Sequence, residues 1–240
     1  MNSNLQIEVL LETPACIVIN KPAGLVVNRA ESVKTATLQD WIEEQSWYIH
    51  HDDDNYRSRS GLVHRLDKET SGALVIAKHP ASLEELQRQF HDREVEKTYL
   101  ALVHGDIEVE SATVVLPIGR STVMRGRFVV DPHGRPSETT YEVVDRYKDG
   151  DQAFSLVRLY PKTGRTHQIR VHMKHIGHPL VADPLYLGKH RTQQDRAWCP
   201  RQFLHAEQLH FTDPDQPKKI SVSAPLSADL QTVLDRMNRL

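Results

Sequence analysis

The 240-residue sequence predicts an α+β protein with a mixed, mainly antiparallel sheet and flanking helices. Short apolar runs typical of strands outnumber the segments with helical spacing. The two kinds of segment do not alternate regularly, as they would in a parallel α/β protein. No linker, internal repeat or low-complexity stretch divides the chain, so we expect a single domain over residues 1–240.

The individual elements follow from the spacing of apolar residues. Strands are predicted at residues 16–20, 73–77, 99–104, 137–145 and 154–160, with a β-rich basic stretch at 111–136. Helices are predicted at residues 37–45, 82–91 and 166–175, and after Ser227. Ser82 and Glu85 have the spacing of a capping box, so we expect Ser82 to begin its helix. Polar residues predict loops at 50–60 and 182–202.

Composition argues against several classes of protein. The sequence has no apolar run of about 18 residues, so no membrane association is expected. Residues 1–6 lack the pattern of a signal peptide. Two cysteines, Cys16 and Cys199, are too few for a disulfide framework and lack metal-ligand spacing. These observations predict a cytoplasmic protein.

Positive charge is concentrated in one part of the chain. The formal net charge is −2, but residues 158–201 contain nine Lys or Arg, two Asp or Glu and five His. A local positive field attracts phosphate groups whatever the net charge of the protein. The segment therefore indicates a polyanionic partner, although a solvated surface would give the same composition.

A short motif places one carboxylate before a predicted buried strand. Residues 64–72 read His-Arg-Leu-Asp-Lys-Glu-Thr-Ser-Gly and precede the apolar run at 73–77. A strand that begins there would hold the Asp67 side chain still, as catalysis requires. Carboxylates can trap or stabilise a sugar carbon when a glycosidic bond breaks. The structural alternative is a turn aspartate that caps local backbone.

A second motif provides cations and donors but no acid. Residues 164–172 read Gly-Arg-Thr-His-Gln-Ile-Arg-Val-His. Glycoside hydrolysis ordinarily uses two carboxylates, and Glu69 would need an unusual turn to face the same substrate as Asp67. One carboxylate with a cationic segment therefore favours a rearrangement of a polyanionic substrate over a hydrolysis.

Four segments, in this order, resemble the RluA-type branch of the RNA pseudouridine synthases. Lys21 to Leu25 is similar to the family's entry segment, His64 to Gly72 to its catalytic motif, Lys97 to Ala101 to its tyrosine motif, and Gly164 to His172 to its arginine motif. The resemblance implies a central catalytic cleft and isomerisation of uridine in structured RNA, either ribosomal or transfer RNA. Many relatives carry an S4-like RNA-binding domain before the catalytic domain, and here the entry segment is expected to come too early to leave room for it.

The resemblance also implies roles for individual residues. Asp67 would be the nucleophile or initiator, Arg165 would keep it ionised, and Tyr99 would contact the flipped base and accept a proton. The predicted substrate-binding residues are His64, Arg65, His167, Ile169 and Arg170. Arg65 would fill the space that the extruded base leaves, and Ile169 would pack against the uracil. The structural alternatives are salt bridges near the turn, surface arginines and plain core residues.

Further RNA contacts are expected from the same region. His167, Arg170, His172 and Lys174 are candidates for contact with the RNA backbone. Residues 121–135, which include Arg125 and Arg127, are expected to help choose the target together with residues 186–201.

No cofactor and no metal is expected. Four histidines occur between residues 167 and 178, but only His172 and His175 would share a helix face, and neither Glu nor Cys lies beside them. The main alternative function is a non-catalytic RNA-binding or ribosome-assembly protein that uses the same cleft. A nucleosidase and a metal-dependent hydrolase are weaker alternatives. Nothing in the sequence demands more than a monomer.

Overall fold

The computed structural model describes residues 6–31, 33–124 and 126–240 and has the predicted α+β architecture. The strands are β1 (Glu8–Glu12), β2 (Cys16–Lys21), β3 (Ser71–Ala77), β4 (Glu96–His104), β5 (Ser111–Val115), β6 (Ile118–Arg120), β7 (Phe128–Val130), β8 (Glu138–Asp149), β9 (Gln152–Pro161), β10 (Leu204–Thr212), β11 (Lys219–Ser223) and β12 (Asn238–Arg239). The helices are α1 (Leu38–Glu43), α2 (Asp54–Arg59), α3 (Pro80–His91), α4 (Gln168–His175), α5 (Lys189–Arg196) and α6 (Ala228–Asp235). Within the described ranges, no helix is long and apolar enough to cross a membrane.

The described residues divide into two compact units. The first unit comprises the described residues up to Glu96 together with Ala206–Pro225, and the second comprises the described residues of Lys97–His205 and Leu226–Leu240. Two compact units can belong to one domain, so the single domain over residues 1–240 stays a prediction.

The first unit is built around strand β3. Strand β2 pairs antiparallel with both β1 and β3, and its register places Lys21 opposite Gly72. Every residue of β3 is buried, because β2 pairs with it and helix α3 packs against it. Its continuous apolar sequence is typical of a strand in such a position.

Two helices of the first unit begin at capping residues. Helix α1 starts at Thr37 as predicted, with a reciprocal capping box between Thr37 and Asp40. Helix α3 starts earlier than predicted, because His79 is its N-cap and Pro80 its first residue. Proline is favoured there since the first helical turn needs no N–H from it. The prediction that Ser82 begins this helix is therefore wrong.

The prediction of a loop at residues 50–60 is also wrong in part, because residues 54–59 form helix α2. The Asp53 side chain caps this helix by accepting a hydrogen bond from the Tyr56 N–H at 2.7 Å. Tyr56 is fully buried, and its hydroxyl donates to the Lys78 carbonyl at 2.9 Å. A cap and one buried aromatic side chain are enough to stabilise this short helix without an apolar stripe.

The second unit contains a meander of long antiparallel strands. Strand β9 pairs with β4 on one side and with β8 on the other, and both β5 and β12 pair with β8. Alternate residues of β4 enter two different core clusters, as expected when successive side chains point to opposite faces. Leu100 and Leu102 pack with residues of α6, whereas Ala101 and Val103 pack with residues of α4.

Helix α5 lies where the sequence predicted an irregular loop. Its buried residue is Asp195, whose carboxylate receives hydrogen bonds from His104 Nε2 at 2.8 Å and from the Ala182 N–H at 2.7 Å. Arg191 donates to the other ring nitrogen of His104 at 2.9 Å. Polar contacts hold this helix to its unit. Its sequence therefore lacks the apolar periodicity from which a helix is predicted.

Candidate functional site

Asp67 lies in a turn directly before β3, as the sequence predicted. The turn is closed by a hydrogen bond from the Thr70 N–H to the Asp67 carbonyl at 3.1 Å. Leu66 and Thr70 are buried on either side, whereas Asp67 itself is half-buried. The backbone is thus anchored next to a carboxylate that retains access to solvent.

The entry segment anchors this turn through hydrogen bonds to its backbone. Lys21 is fully buried, and its ammonium donates to the carbonyls of Pro22, Leu25 and Lys68 at 2.7, 3.0 and 3.3 Å. The Gly24 N–H donates to the same Lys68 carbonyl at 2.8 Å, with a φ of +86° that favours glycine. The Lys-Pro-x-Gly segment therefore fixes the residue that follows Asp67.

Glycine is required at the end of the catalytic motif. Gly72 has a φ of +113°, and a Cβ at this position would lie 2.2 Å from the backbone oxygen of Ala206. Strand β10 approaches β3 so closely here that only glycine fits without a backbone shift.

The two predicted substrate-binding residues of this motif lie in different environments. Arg65 is exposed. The Nε2 atom of His64 accepts a hydrogen bond from the Val75 N–H of β3 at 3.1 Å, and its ring stacks on Phe90 at 4.7 Å. Because Nε2 is the acceptor, this imidazole is held in one orientation, which favours a supporting role for His64 over direct contact with RNA.

Tyr99 and Ile169 belong to one core cluster of the second unit. Tyr99 is half-buried on β4, opposite Leu159 of β9, and packs against the cluster that contains the buried Ile169. Two residues before Tyr99, burial lowers the pKa of Lys97 to about 8. Side chains two apart on a strand share a face, so Lys97 and Tyr99 project on the same side of β4. Sequence reasoning did not single out Lys97, although it belongs to the tyrosine motif.

Gln168 organises the turn that carries Arg165. Its side-chain oxygen accepts from the Arg165 N–H at 3.0 Å and from the Thr163 hydroxyl at 2.7 Å. Its side-chain nitrogen donates to the Glu138 carbonyl at 2.9 Å and to the Thr139 hydroxyl at 3.0 Å. A buried amide thus joins the turn to β8, a role that the sequence analysis missed because it depends on residues 29 and 30 positions away.

Arg165 itself is half-buried, and its Nε donates to the Pro136 carbonyl at 3.2 Å. One N–H of the guanidinium is thereby directed at the protein backbone. This contact restrains the side chain of Arg165.

His172 is a buried part of the same network, not a surface residue. Its Nδ1 lies 2.9 Å from the Thr139 hydroxyl and its Nε2 lies 3.0 Å from the Leu116 carbonyl. The carbonyl can only accept, so Nε2 carries the proton and Nδ1 accepts from Thr139. Burial lowers the pKa of His172 and keeps the ring neutral. The prediction that His172 contacts the RNA backbone is therefore wrong, because its side chain is fully buried.

Arg170 forms a buried ion pair. Its Nε and one terminal nitrogen donate to the two oxygens of Asp183 at 2.7 and 2.8 Å, and both side chains are buried. Asp183 also accepts from the N–H groups of Leu185 and Tyr186. The charge of Arg170 is compensated inside the protein, which argues against its predicted direct contact with RNA.

His167 begins helix α4 in a left-handed conformation, with φ +58°. A positive φ is uncommon outside glycine, although histidine adopts it more often than most other residues do. The ring lies edge-on to Phe128 and Tyr186, with Nδ1 2.9 Å from the Tyr186 hydroxyl. His167 is half-buried, so part of its ring reaches the surface.

The basic stretch after β5 forms a hairpin of β6 and β7. Arg120 lies over the ring of Phe128 at 5.7 Å, and Arg127 contacts the sulfur of Met124. Arg125, which was expected to contact RNA, lies outside the described residues. Among the residues that are described, no group of three or more His, Cys, Asp or Glu side chains is arranged to hold a metal ion.

Known proteins resemble the chain in sequence and in fold. The model of the RNA pseudouridylate synthase family matches residues 15–175. Ribosomal large subunit pseudouridine synthase D of Nitrosomonas europaea is 38% identical over 242 residues, a region that covers 98% of this chain and 67% of that protein. An uncharacterised RNA pseudouridine synthase of Chloroflexus aurantiacus is 41% identical over 218 residues, covering 91% of this chain and 65% of that protein.

A solved structure extends the likeness to the fold. Human RNA Pseudouridylate Synthase Domain Containing 1 superposes with a TM-score of 0.74 at 28% identity, covering all of this chain and 91% of that chain. The chain spans about two thirds of the length of the two bacterial relatives. The matched residues 15–175 include the entry segment, the Asp67 turn, Tyr99 and the Arg165 turn. The chain therefore belongs to the RNA pseudouridylate synthase family, whose members isomerise uridine to pseudouridine in RNA.

Proposed function

We propose that this chain isomerises uridine to pseudouridine in a structured RNA, with Asp67 as the catalytic nucleophile or initiator. The observation that carries the proposal is the anchored turn. A buried lysine ammonium and a glycine N–H both bind the carbonyl of Lys68, the residue after Asp67. Such rigidity is unnecessary for a solvated turn aspartate, and it is what a catalytic carboxylate requires.

The reaction needs only one carboxylate. The N1–C1′ bond of uridine breaks, the uracil turns, and C5 bonds to C1′ while the proton on C5 leaves and N1 gains one. The base stays bound throughout, so no second carboxylate is needed to activate water. Asp67 would attack the ribose or initiate removal of its 2′ proton, and in either case it must be ionised when the reaction begins.

Tyr99 and Arg165 complete the proposed catalytic set. We assign to Tyr99 the roles of contacting the detached base and accepting a proton, and to Arg165 the role of a cation that serves the catalytic step. The hydrogen bond from Arg165 to Pro136 and the Gln168 network support a restrained guanidinium. Ile169, buried in the cluster that Tyr99 packs against, would offer an apolar surface to the uracil.

RNA binding is assigned to residues that remain accessible. Arg65 is exposed beside Asp67 and would occupy the space of the extruded base, which lowers the cost of extrusion. His167 and the β6–β7 hairpin would contact the RNA backbone. His64 and Arg170 were predicted to bind substrate, and their internal hydrogen bonds favour a supporting role for both.

We further propose ribosomal RNA of the large subunit as the target. The support is the name of the Nitrosomonas europaea relative, a ribosomal large subunit pseudouridine synthase. Transfer RNA remains the second substrate class to test. Action on ribosomal RNA would place the chain in the cytoplasm, and we propose that it acts as a monomer without metal or cofactor.

The test maps pseudouridines by carbodiimide-adduct sequencing of total RNA. Cells that contain the wild type, Asp67→Asn or no protein are compared. A position modified only with the wild type establishes the activity and identifies the target. If the three samples are identical while the growth or ribosome profile still requires the protein, the chain acts as a non-catalytic RNA-binding or assembly protein instead.

A further inference from the structure

The hydroxyl of Tyr186 joins two segments that lie far apart in the sequence. It accepts a hydrogen bond from the Phe128 N–H of strand β7 at 3.0 Å. It also lies 2.9 Å from Nδ1 of His167, the residue that begins helix α4. One phenol oxygen therefore connects the basic hairpin to the arginine motif, within the second unit.

The direction of these two hydrogen bonds follows from which atoms carry a proton. A backbone N–H can only donate, so the Phe128 contact uses a lone pair of the phenol oxygen. The phenol proton is then available for Nδ1 of His167, which accepts it when the imidazole carries its own proton on Nε2. Tyr186 thereby fixes the orientation of the His167 ring.

The ring of Tyr186 is itself held from two sides. The Arg170 guanidinium lies 5.0 Å from the ring centre, and Asp183, the partner of Arg170, accepts the Tyr186 N–H at 3.1 Å. Tyr186 also packs in a small apolar cluster with Ile118 of β6 and Val171 of α4. The buried ion pair between Arg170 and Asp183 thus supports the ring of Tyr186 and holds its hydroxyl in one position.

The left-handed backbone of His167 needs such support. A histidine with φ +58° is held in a sparsely populated conformation, and the surrounding contacts must maintain it. This residue lies two positions after Arg165, so the same turn leads from the proposed catalytic arginine into α4. Loss of the Tyr186 hydroxyl would loosen the start of α4 and the hairpin at the same time.

We propose that Tyr186 is a positioning residue for RNA binding. Its hydroxyl holds the β6–β7 hairpin against the start of α4, so that the cationic side chains of both segments form one RNA-binding surface. This inference rests on the proposed function, because it takes structured RNA as the ligand. Phosphate contacts depend on several cations being placed at once, and a loose hairpin would lose its share of them. Tyr186 acts through Arg120, Arg127 and His167, not by touching the reacting uridine.

The test measures binding of a fluorescently labelled RNA stem-loop, with uridines in its loop, over about 50–200 mM salt. Tyr186→Phe keeps the ring and its packing but removes the hydroxyl. We expect affinity to fall about 3- to 10-fold, as for loss of one buried hydrogen-bonding group. We also expect the slope of log affinity against log salt to become shallower by about one phosphate contact. A merely structural role would leave that slope unchanged.

Three further variants sharpen the result. Tyr147→Phe removes another largely buried tyrosine hydroxyl of the same unit, bonded to Asp145, and should change neither affinity nor slope. Arg127→Ala should cost less affinity in the Tyr186→Phe protein than in the wild type, because the hairpin cation is already displaced. If Tyr186→Phe does not fold, His167→Gly keeps the left-handed backbone and removes Nδ1. Because His167 is itself proposed to contact RNA, its coupling with Arg127→Ala is then measured: a smaller cost of Arg127→Ala in His167→Gly supports the inference, and additive losses overturn it.

An unchanged slope in Tyr186→Phe, or additive losses with Arg127→Ala, would overturn the inference. So would a wild type that does not bind the stem-loop at about 50 mM salt. These readouts need no turnover. A wild type that binds RNA but forms no pseudouridine would contradict the proposed function and still leave the role of Tyr186 decided by the slope.

Discussion

The buried ammonium of Lys21 lies 3.3 Å from the backbone carbonyl of Lys68, and this contact ties the entry segment to the turn of Asp67. The two residues are 47 positions apart, and Lys21 also binds the carbonyls of Pro22 and Leu25. A fully buried lysine is rare unless its charge is satisfied by such acceptors. The family's entry motif therefore has a physical purpose in this chain, which is to position the turn of Asp67, the proposed catalytic carboxylate.

Replacing Lys21 by Met should destabilise the protein by about 1–3 kcal/mol, because three backbone carbonyls lose a charged donor. Turnover should fall as well, since the Asp67 turn loses an anchor. The measurement combines urea unfolding with single-turnover kinetics. Lys78→Met is the matched control: the Lys78 ammonium donates to the half-exposed Glu12 carboxylate and to one backbone carbonyl, that of Thr13, so its loss should cost less than the loss of Lys21.

Gly72→Ala should be far more damaging than Gly24→Ala. Both glycines have positive φ, but a Cβ on Gly72 would lie 2.2 Å from the Ala206 oxygen whereas a Cβ on Gly24 would meet open space. We expect a loss of about 1 kcal/mol at Gly24 from backbone strain and at least 3 kcal/mol at Gly72. Equal losses in thermal or urea unfolding would show that β10 does not approach β3 as described.

Much of this arrangement could be predicted from the sequence, and the exceptions have physical reasons. The turn at Asp67 was predictable because an acid followed by a continuous apolar run identifies the start of a buried strand. The start of α1 was predictable because a threonine, a favoured N-cap residue, precedes the helical spacing of Leu38, Trp41 and Ile42. Helix α5 was not, because its buried residue is Asp195 and its anchors, His104 and Ala182, are distant in sequence.

The supporting residues of the candidate site show the same limit. Gln168 and His172 belong to the arginine motif, so their presence was evident, but their partners on β8 depend on the tertiary fold. Arg170 carries the charge expected of an RNA ligand, and only the structure reveals Asp183 as its partner. A motif identifies important residues, but it does not separate those that face the substrate from those that hold the others in place.

Arg165→Ala should lower the single-turnover rate by about 100-fold or more, as for other preorganised electrostatic groups. Arg165→Lys should restore only part of the rate, because an ammonium keeps the charge but lacks the planar fork. RNA affinity should change much less than the rate in both variants. An equal loss of rate and affinity would indicate that Arg165 binds RNA phosphate instead of serving the catalytic step.

His172 should make stability fall on the acid side of neutrality. Burial lowers its pKa in the folded state below the usual value near 6.5, so the unfolded chain binds more protons at mildly acidic pH. The free energy of unfolding therefore decreases as pH falls below about 6.5. Urea unfolding from pH 7.5 to 5.5 should show a weaker pH dependence in His172→Gln, whereas His91→Gln, which alters an exposed ring, should retain it.

The most direct measurement compares Asp67→Asn with Glu69→Gln and the wild type, as purified proteins in single-turnover assays of pseudouridine formation on large-subunit ribosomal RNA. Glu69→Gln removes a carboxylate two positions away in the same turn and should retain activity within a few-fold. Asp67→Asn should form no pseudouridine while binding RNA within a few-fold of the wild type. Pseudouridine formation by Asp67→Asn would contradict the assignment of Asp67 as the catalytic carboxylate.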